Sequence, residues 1–236
     1  MFYDEKIVNI RNTSITAPVK QTQDINSLFV LKIISYMRDG CKILDIGTGN
    51  GFVLKQIYEN SDIKSTLTGV DNSKEMVKAA RKNIGGIAHI VEGDNNNLPF
   101  ADKNFDIITA KNVTMFNSDE LYRVLQEGGY FIFREYGQSK GLVEVASLFK
   151  DRLIRSRNVG FYSTKLENSG FEIISIEQYQ VFRKYQSVQE IINITKSFPF
   201  IENYSNKDEE IIKESLNGNC NITSDPFILV ARKKES

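Results

Sequence analysis

Three carboxylates, Asp45, Asp71 and Asp94, each stand at the end of a short apolar run. The first run leads into Gly47-Thr48-Gly49-Asn50-Gly51. Glycines let the chain turn tightly and let a ligand approach the backbone closely. A helix starting after such a turn offers free N–H groups, a setting for a nucleotide-type ligand. Asp45, two residues before Gly47, suits a cationic group such as an ammonium, reached directly or through water. Asp71 follows Gly51 by twenty residues and can accept both hydroxyls of a ribose. Each such charge-assisted bond is worth roughly 1.5–3 kcal/mol. Asp94, followed by Asn95, can accept from an adenine amino group. Each feature also has a plain reading: a tight strand-to-helix turn, a cap for the helix beginning near Ser73, a solvated turn acid. Three acids at three successive strand ends, beside a glycine turn, are hard to explain as unrelated turns. A dinucleotide fingerprint would need glycine where Phe52 stands, and the third glycine falls one residue early, at Gly51.

The positioning elements follow from periodicity. Asp24–Arg38 has helical apolar spacing, with Asp24 as N-cap and Asp39-Gly40 as the stop. Short apolar runs predict strands at Lys42–Ile46, Ser65–Val70, Ala88–Glu92, Phe105–Ala110 and Tyr130–Arg134. Helices are predicted at Gly51–Asn60, Ser73–Asn83 and Ser118–Leu125, the last stopping at Gly128-Gly129. Strands without alternation, separated by single helices, mean a parallel sheet covered on both faces. Right-handed crossovers then put the ligand at the carboxyl ends of the strands. The rear of the chain reads as helices at Gly141–Ser156 and Ser163–Ser169 and strands at Phe171–Phe182 and Phe227–Arg232. About 40 residues, Arg183 to Pro226, lie between those two strands, and insertions of that length are more often functional than idle.

Composition bounds the partners. The 236 residues carry 30 Lys+Arg against 30 Asp+Glu and are 41% hydrophobic, which suits one packed domain with additions and opposes disorder. Zero net charge opposes a protein that holds nucleic acid mainly by its phosphates. No run approaches the roughly 18 apolar residues of a membrane span. MFYDEKIVNIRN lacks the apolar core of a signal peptide, so a cytoplasmic protein is expected. Cys41 and Cys220 match no paired spacing and read as free thiols, with no metal site.

The stretches ILDIGTGNG (Ile43–Gly51), GVDNSKEMVKAA (Gly69–Ala80), EGDNNNLPFADKNFDII (Glu92–Ile108) and RVLQEGGYFIF (Arg123–Phe133) occur in the order and spacing of one family. Over this region the chain resembles the class I S-adenosylmethionine-dependent methyltransferases, and most closely their small-molecule subgroup with the ubiquinone/menaquinone- and biotin-pathway enzymes. The resemblance implies an α/β fold: a Rossmann-like, seven-stranded, doubly wound sheet with an antiparallel last strand. It implies one domain over 1–236: a head or lid (1–41), a cofactor-binding core (42–182), an acceptor-cover insertion (183–226) and a last strand and tail (227–236). It implies S-adenosyl-L-methionine as cofactor. Gly47, Thr48 and Gly49 would contact its methionine part, with Asp45 near the ammonium. Asp71 would hold the ribose, Asn72 would flank the adenine, and Asp94 and Asn95 would hold the adenine edge. Lys111, first after the fourth strand, would line the cofactor through its backbone. The Asn/Asp-Pro-Pro-aromatic motif of nucleobase amino methyltransferases is absent; the matching site reads Ala110-Lys111-Asn112-Val113.

Methyl transfer from a sulfonium is an in-line displacement, so positioning dominates, and a general base is needed only for an acceptor protonated at working pH. The acceptor-side candidates are Asn112, Glu135 and Tyr136, expected past strand ends. Glu135 would deprotonate a hydroxyl or pair with an amine. The sole histidine, His89, begins a strand at the end away from the ligand and reads as structural. Gln21, Gln23 and Tyr3 in the head are candidates to close over the cofactor. The insertion offers Phe182, Tyr185, Phe198, Phe200 and Tyr204, either as small-core packing or as a box for a small-molecule acceptor with an apolar body. The alternatives are an RNA or protein methyltransferase, a non-catalytic binding module and a dinucleotide oxidoreductase. Neutral charge opposes the first, the complete acid set the second, and Phe52 with Asp45 the third.

Overall fold

The computed structural model of the chain describes residues 20–21, 24–154, 158–198 and 200–235. Tyr3 and Gln23 lie outside the described residues, as does the side chain of Gln21. Strands are β1 (Lys20–Gln21), β2 (Cys41–Ile46), β3 (Ser65–Asp71), β4 (His89–Glu92), β5 (Phe105–Lys111), β6 (Leu125–Tyr136), β7 (Phe171–Lys184), β8 (Asn221–Ser224) and β9 (Pro226–Lys233). Helices are α1 (Ile25–Ile34), α2 (Phe52–Asn60), α3 (Lys74–Ile84), α4 (Ser118–Val124), α5 (Val143–Leu148), α6 (Val159–Asn168), α7 (Val188–Ser197) and α8 (Asn206–Leu216).

The sheet order is β1-β7-β9-β6-β5-β2-β3-β4, with β8 paired to β7. The pairs β2–β3, β2–β5, β3–β4 and β5–β6 are parallel. The C-terminal strands add the antiparallel part. The seven expected strands are therefore present, with the short β1 and β8 added. β2 and the last five residues of β3 are almost wholly buried, as expected of strands covered on both faces.

Two compact units emerge. The larger comprises 26–135, 161–176 and 228–236. Its core is built from Phe29 and Ile33 of α1, Ile43 and Leu44 of β2, Leu54 of α2 and Ile107 and Ile108 of β5, all buried. Phe116, Phe131, Phe133 and Tyr162 add an aromatic cluster with ring centroids 4.8 to 5.9 Å apart. His89 is exposed at the start of β4.

The smaller unit comprises 136–160, 177–227 and the described residues up to 25. The insertion folds there as α7, α8 and β8. Ile191, Ile192, Phe200 and Ile212 share one core with Leu142, Val145 and Phe149. Of the insertion's aromatics, Phe200 is buried and Tyr185 and Tyr204 pack against that core, while Phe182 and Phe198 are 62% and 65% exposed. Core packing therefore claims three of the five. Arg152 pairs with Asp208, which also completes the capping box that starts α8.

Several elements differ from expectation; α6 begins at Val159, not Ser163. The helix expected to reach Arg38 ends at Ile34, where Tyr36 and Met37 donate back only three residues and tighten the turn. The helix expected over Gly141–Ser156 is only α5, followed by a 3₁₀ turn at Lys150–Arg152. Phe149 leaves helical geometry with its side chain buried in the small core. The strand expected at Tyr130–Arg134 begins at Leu125. Gly128, at φ 71°, lets the chain run through Gly-Gly in a β irregularity.

Candidate functional site

Asp45, Asp71, Asp94 and Glu135, with Gly47, Gly49 and Gly51, fall in the larger unit. Parallel register aligns Asp45 with Gly69 and Thr109, Asp71 with Glu92, and Lys111 with Arg134, so their strand ends share one edge. The glycine turn hangs on that edge. Thr48 N–H donates to Val70 O at 3.0 Å, and Gly51 N–H to Thr48 O at 2.9 Å. Gly47, Gly49 and Gly51 have φ of 60°, 57° and 85°, where a side chain is strained.

The three glycines have different surroundings. A Cβ on Gly51 would lie 2.5 Å from Ile84 Cδ1, so this residue lets α3 press against the turn. Asn83 of α3 also donates to Asn50 O at 3.1 Å. A Cβ on Gly47 would lie 2.7 Å from Val113 Cγ2 and 3.8 Å from Asn95 Nδ2. A Cβ on Gly49 would meet nothing within 4 Å, so this part of the turn faces open space.

Asp71 is buried and braces the turn: Gly49 N–H donates to Oδ2 at 2.8 Å and Ser73 N–H to Oδ1 at 3.0 Å. The cap of α3 itself is Ser73, whose hydroxyl accepts from Met76 N–H. Each carboxylate oxygen keeps a second lone pair for a ligand hydroxyl. Asp45 is buried and accepts the Thr109 hydroxyl at 2.8 Å. Burial pushes its carboxyl up to about 6, against the Thr109 and Thr48 hydroxyls and the Lys111 charge, which pull it down.

Asp94 is exposed, and its Oδ1 accepts the Asn96 N–H and side-chain amide, both at 2.9 Å. Asn72 is exposed ahead of α3. Asn95 Oδ1 is buried with no hydrogen-bond partner among the described residues. An orphaned acceptor beside Gly47, an open cradle at Gly49 and spare lone pairs on Asp71 fit an adenosyl ligand that donates amino and hydroxyl protons.

Positions on the far strands need correction. Lys111 is the last residue of β5, not the first beyond it, and its ammonium lies 4.9 Å from the Phe52 ring centroid. Glu135 and Tyr136 lie within β6, not past its end; Glu135 is buried. β6 runs on because Lys111 pairs in register with Arg134. Asn112, at φ 58°, accepts from the Arg134 guanidinium through Oδ1, and its N–H donates to Arg134 O at 2.9 Å. Its side chain is thus held by a buried arginine. Tyr136 belongs to the smaller unit.

Thr109, Phe52 and Val113 escaped the sequence reading as contributors to this edge. Only Phe52 carried a signal, directly after the last glycine. Another cavity of about 240 Å³ is lined by Arg38, Asp106, Arg232 and Glu235, but these charges already pair among themselves. The described residues contain no group of three or more His, Cys, Asp or Glu arranged to hold a metal, and no helix long and apolar enough to cross a membrane.

A family profile described as a methyltransferase domain matches residues 44–133, all within the larger unit. The ubiquinone/menaquinone biosynthesis C-methyltransferase of Geotalea daltonii is 34% identical over 46% of this chain; the match covers 50% of that relative, so the chain spans about half its length. YrhH of Bacillus subtilis, a protein named as a methyltransferase, is 30% identical over 59% of this chain and 82% of its own length. Among solved structures, a methyltransferase-titled protein from Bacillus halodurans superposes with a TM-score of 0.65 at 17% identity, covering 89% of this chain and 99% of that one. The fold agrees with these likenesses, and the chain belongs to the class I S-adenosylmethionine-dependent methyltransferases.

Proposed function

We propose that this protein transfers the methyl group of S-adenosylmethionine to a small-molecule acceptor. The observation that carries the reading is the pair of buried carboxylates, Asp45 and Asp71, on either side of a glycine turn that opens at Gly49. When bound, S-adenosylmethionine supplies a methyl group on a sulfonium whose departure needs no proton. The chain's own work is therefore to hold and orient. Asp71 would accept ribose hydroxyls while tying Gly49 and Ser73. Asp45 would face the ammonium, and Asn95 would use its orphaned oxygen on the adenine amino group. Asn72 and Asp94 would border the adenine. Holding nucleophile and methyl in line contributes about 7–11 kcal/mol of barrier reduction in well-oriented systems. Asn112 would keep the edge in shape through Arg134, and Glu135, a buried carboxylate, would take an acceptor proton where one must leave.

Three facts support a small acceptor. Net charge is zero, the Geotalea relative is named for quinone biosynthesis, and the insertion forms a compact core with α5 with no run of basic residues. Acceptor recognition is assigned to the smaller unit. Titration calorimetry with S-adenosylhomocysteine and with NADH, then labelled-methyl transfer to panels of small molecules, RNA and protein, tests the reading. Binding of the adenosyl ligand alone, with transfer to small molecules, is expected. Preference for NADH would remove the cofactor assignment, and transfer only to RNA or protein would remove the acceptor assignment.

A further inference from the structure

The smaller unit contains a buried ammonium. Lys140 Nζ is buried and has no hydrogen-bond partner among the described residues. A buried unpaired ammonium is costly, so such a group asks for an explanation. Its backbone is not free to relieve the problem. Lys140 sits at φ 52° in a turn where its N–H donates to Gly137 O at 3.2 Å. Asp225 clamps the turn on both sides of it, accepting Ser139 N–H at 3.1 Å, Gly141 N–H at 3.0 Å and the Ser139 hydroxyl.

The same turn leans on a second cation's partner. A Cβ on Gly141 would lie 3.0 Å from Tyr136 Cδ1 and Cε1, so the turn packs directly on that ring. The Arg183 guanidinium lies 5.7 Å from the centroid of the same ring. Neither Lys140 nor Arg183 is in an ion pair among the described residues. The nearby acids have other donors: Glu144 takes Thr223 N–H and hydroxyl at 2.8 and 2.6 Å, and Glu190 takes Gln186 N–H at 2.7 Å.

We propose that Lys140, on the turn packed against the Tyr136 ring, and Arg183, near the same ring, form a site for an oxyanion, the phosphate or carboxylate group of a small molecule. A guanidinium offers a planar fork and an ammonium a point charge, which together match the lone pairs of such a group. This deepens the reading above, on which it rests, by naming the acceptor class as a small molecule bearing an oxyanion.

The test uses the full chain, with inorganic phosphate and acetate as probes, read by thermal shift and by titration calorimetry. S-adenosylhomocysteine affinity is measured alongside. Saturable phosphate or acetate binding is expected. It should weaken by about tenfold or more in Lys140→Met and in Arg183→Gln, with S-adenosylhomocysteine affinity unchanged. Stronger phosphate binding would mark a phosphate ester, and stronger acetate binding a carboxylic acid. Lys140→Met should also melt above the wild type in anion-free buffer and lose the anion-dependent shift. Absence of saturable binding by either probe, or equal binding by the two variants, overturns the proposal. Failure of S-adenosylhomocysteine to bind would instead strike the cofactor assignment, which leaves the two outcomes distinguishable.

Discussion

The Asp71 carboxylate accepts the Gly49 N–H at 2.8 Å, tying the end of one strand to the loop after another. One side chain therefore shapes the glycine turn and faces the space that turn leaves open. Asp71→Ala should weaken S-adenosylhomocysteine binding by a few kcal/mol, on the scale of two charged bonds, and lower stability by about 1–3 kcal/mol. Calorimetry and urea unfolding would measure the two effects. A loss of affinity under tenfold would count heavily against ribose recognition by this residue.

Asp45 carries a pH signature. Its folded pKa, about 6, lies above its ordinary value of 3.8, so the folded state binds the extra proton between those values. Its contribution to stability is then fully present below about pH 4 and is lost as the pH rises through about 6, a total change of about 3 kcal/mol. Asp45→Asn should lack this slope in the difference between denaturation curves. A ligand ammonium favours the ionised form, so binding near pH 5.5 should release protons. Calorimetry in two buffers of different ionisation enthalpy would detect the release, and a zero value would remove the ammonium assignment.

Gly51→Ala should destabilise through two additive causes. Backbone strain at φ 85° costs about 1–3 kcal/mol, and the clash with Ile84 costs about 1–3 kcal/mol more. Combining it with Ile84→Ala should give less destabilisation than the two single changes summed, by about 1 kcal/mol or more. Strict additivity in a denaturant double-mutant cycle would show that α3 does not press on the turn.

Asn112 separates a structural role from a catalytic one. Asn112→Ala leaves the buried Arg134 guanidinium short of an acceptor and should cost about 1–3 kcal/mol. Asn112→Asp keeps the acceptor and should keep both fold and turnover. Turnover lost in the aspartate variant, with melting unchanged, would make Asn112 part of the chemistry.

The parallel sheet was legible because β2, β3 and β5, largely buried on both faces, are short apolar-rich segments set between single helices. The glycine turn and Asp45, Asp71 and Asp94 were legible for a related reason: a parallel strand places its ligand-side residues at its carboxyl end, a position that can be counted. Helix and strand ends were harder. α1 and α5 stop where local turns tighten and where Phe149 finds a core, and neither event leaves a glycine or proline behind.

By itself the sequence determined the strand order's parallel core, the family and the edge on which a ligand would sit. Local spacing is enough for these, since they depend on what each segment buries. The tertiary structure alone decided which groups meet. Thr109 reaches Asp45 across 64 residues, Gly51 receives Ile84, and Arg134 occupies Asn112. The Lys140 ammonium is left buried with no hydrogen-bond partner among the described residues, on a turn held by Asp225, 85 residues further along the chain. Such contacts are set by packing between segments far apart in the chain, and no local period records them.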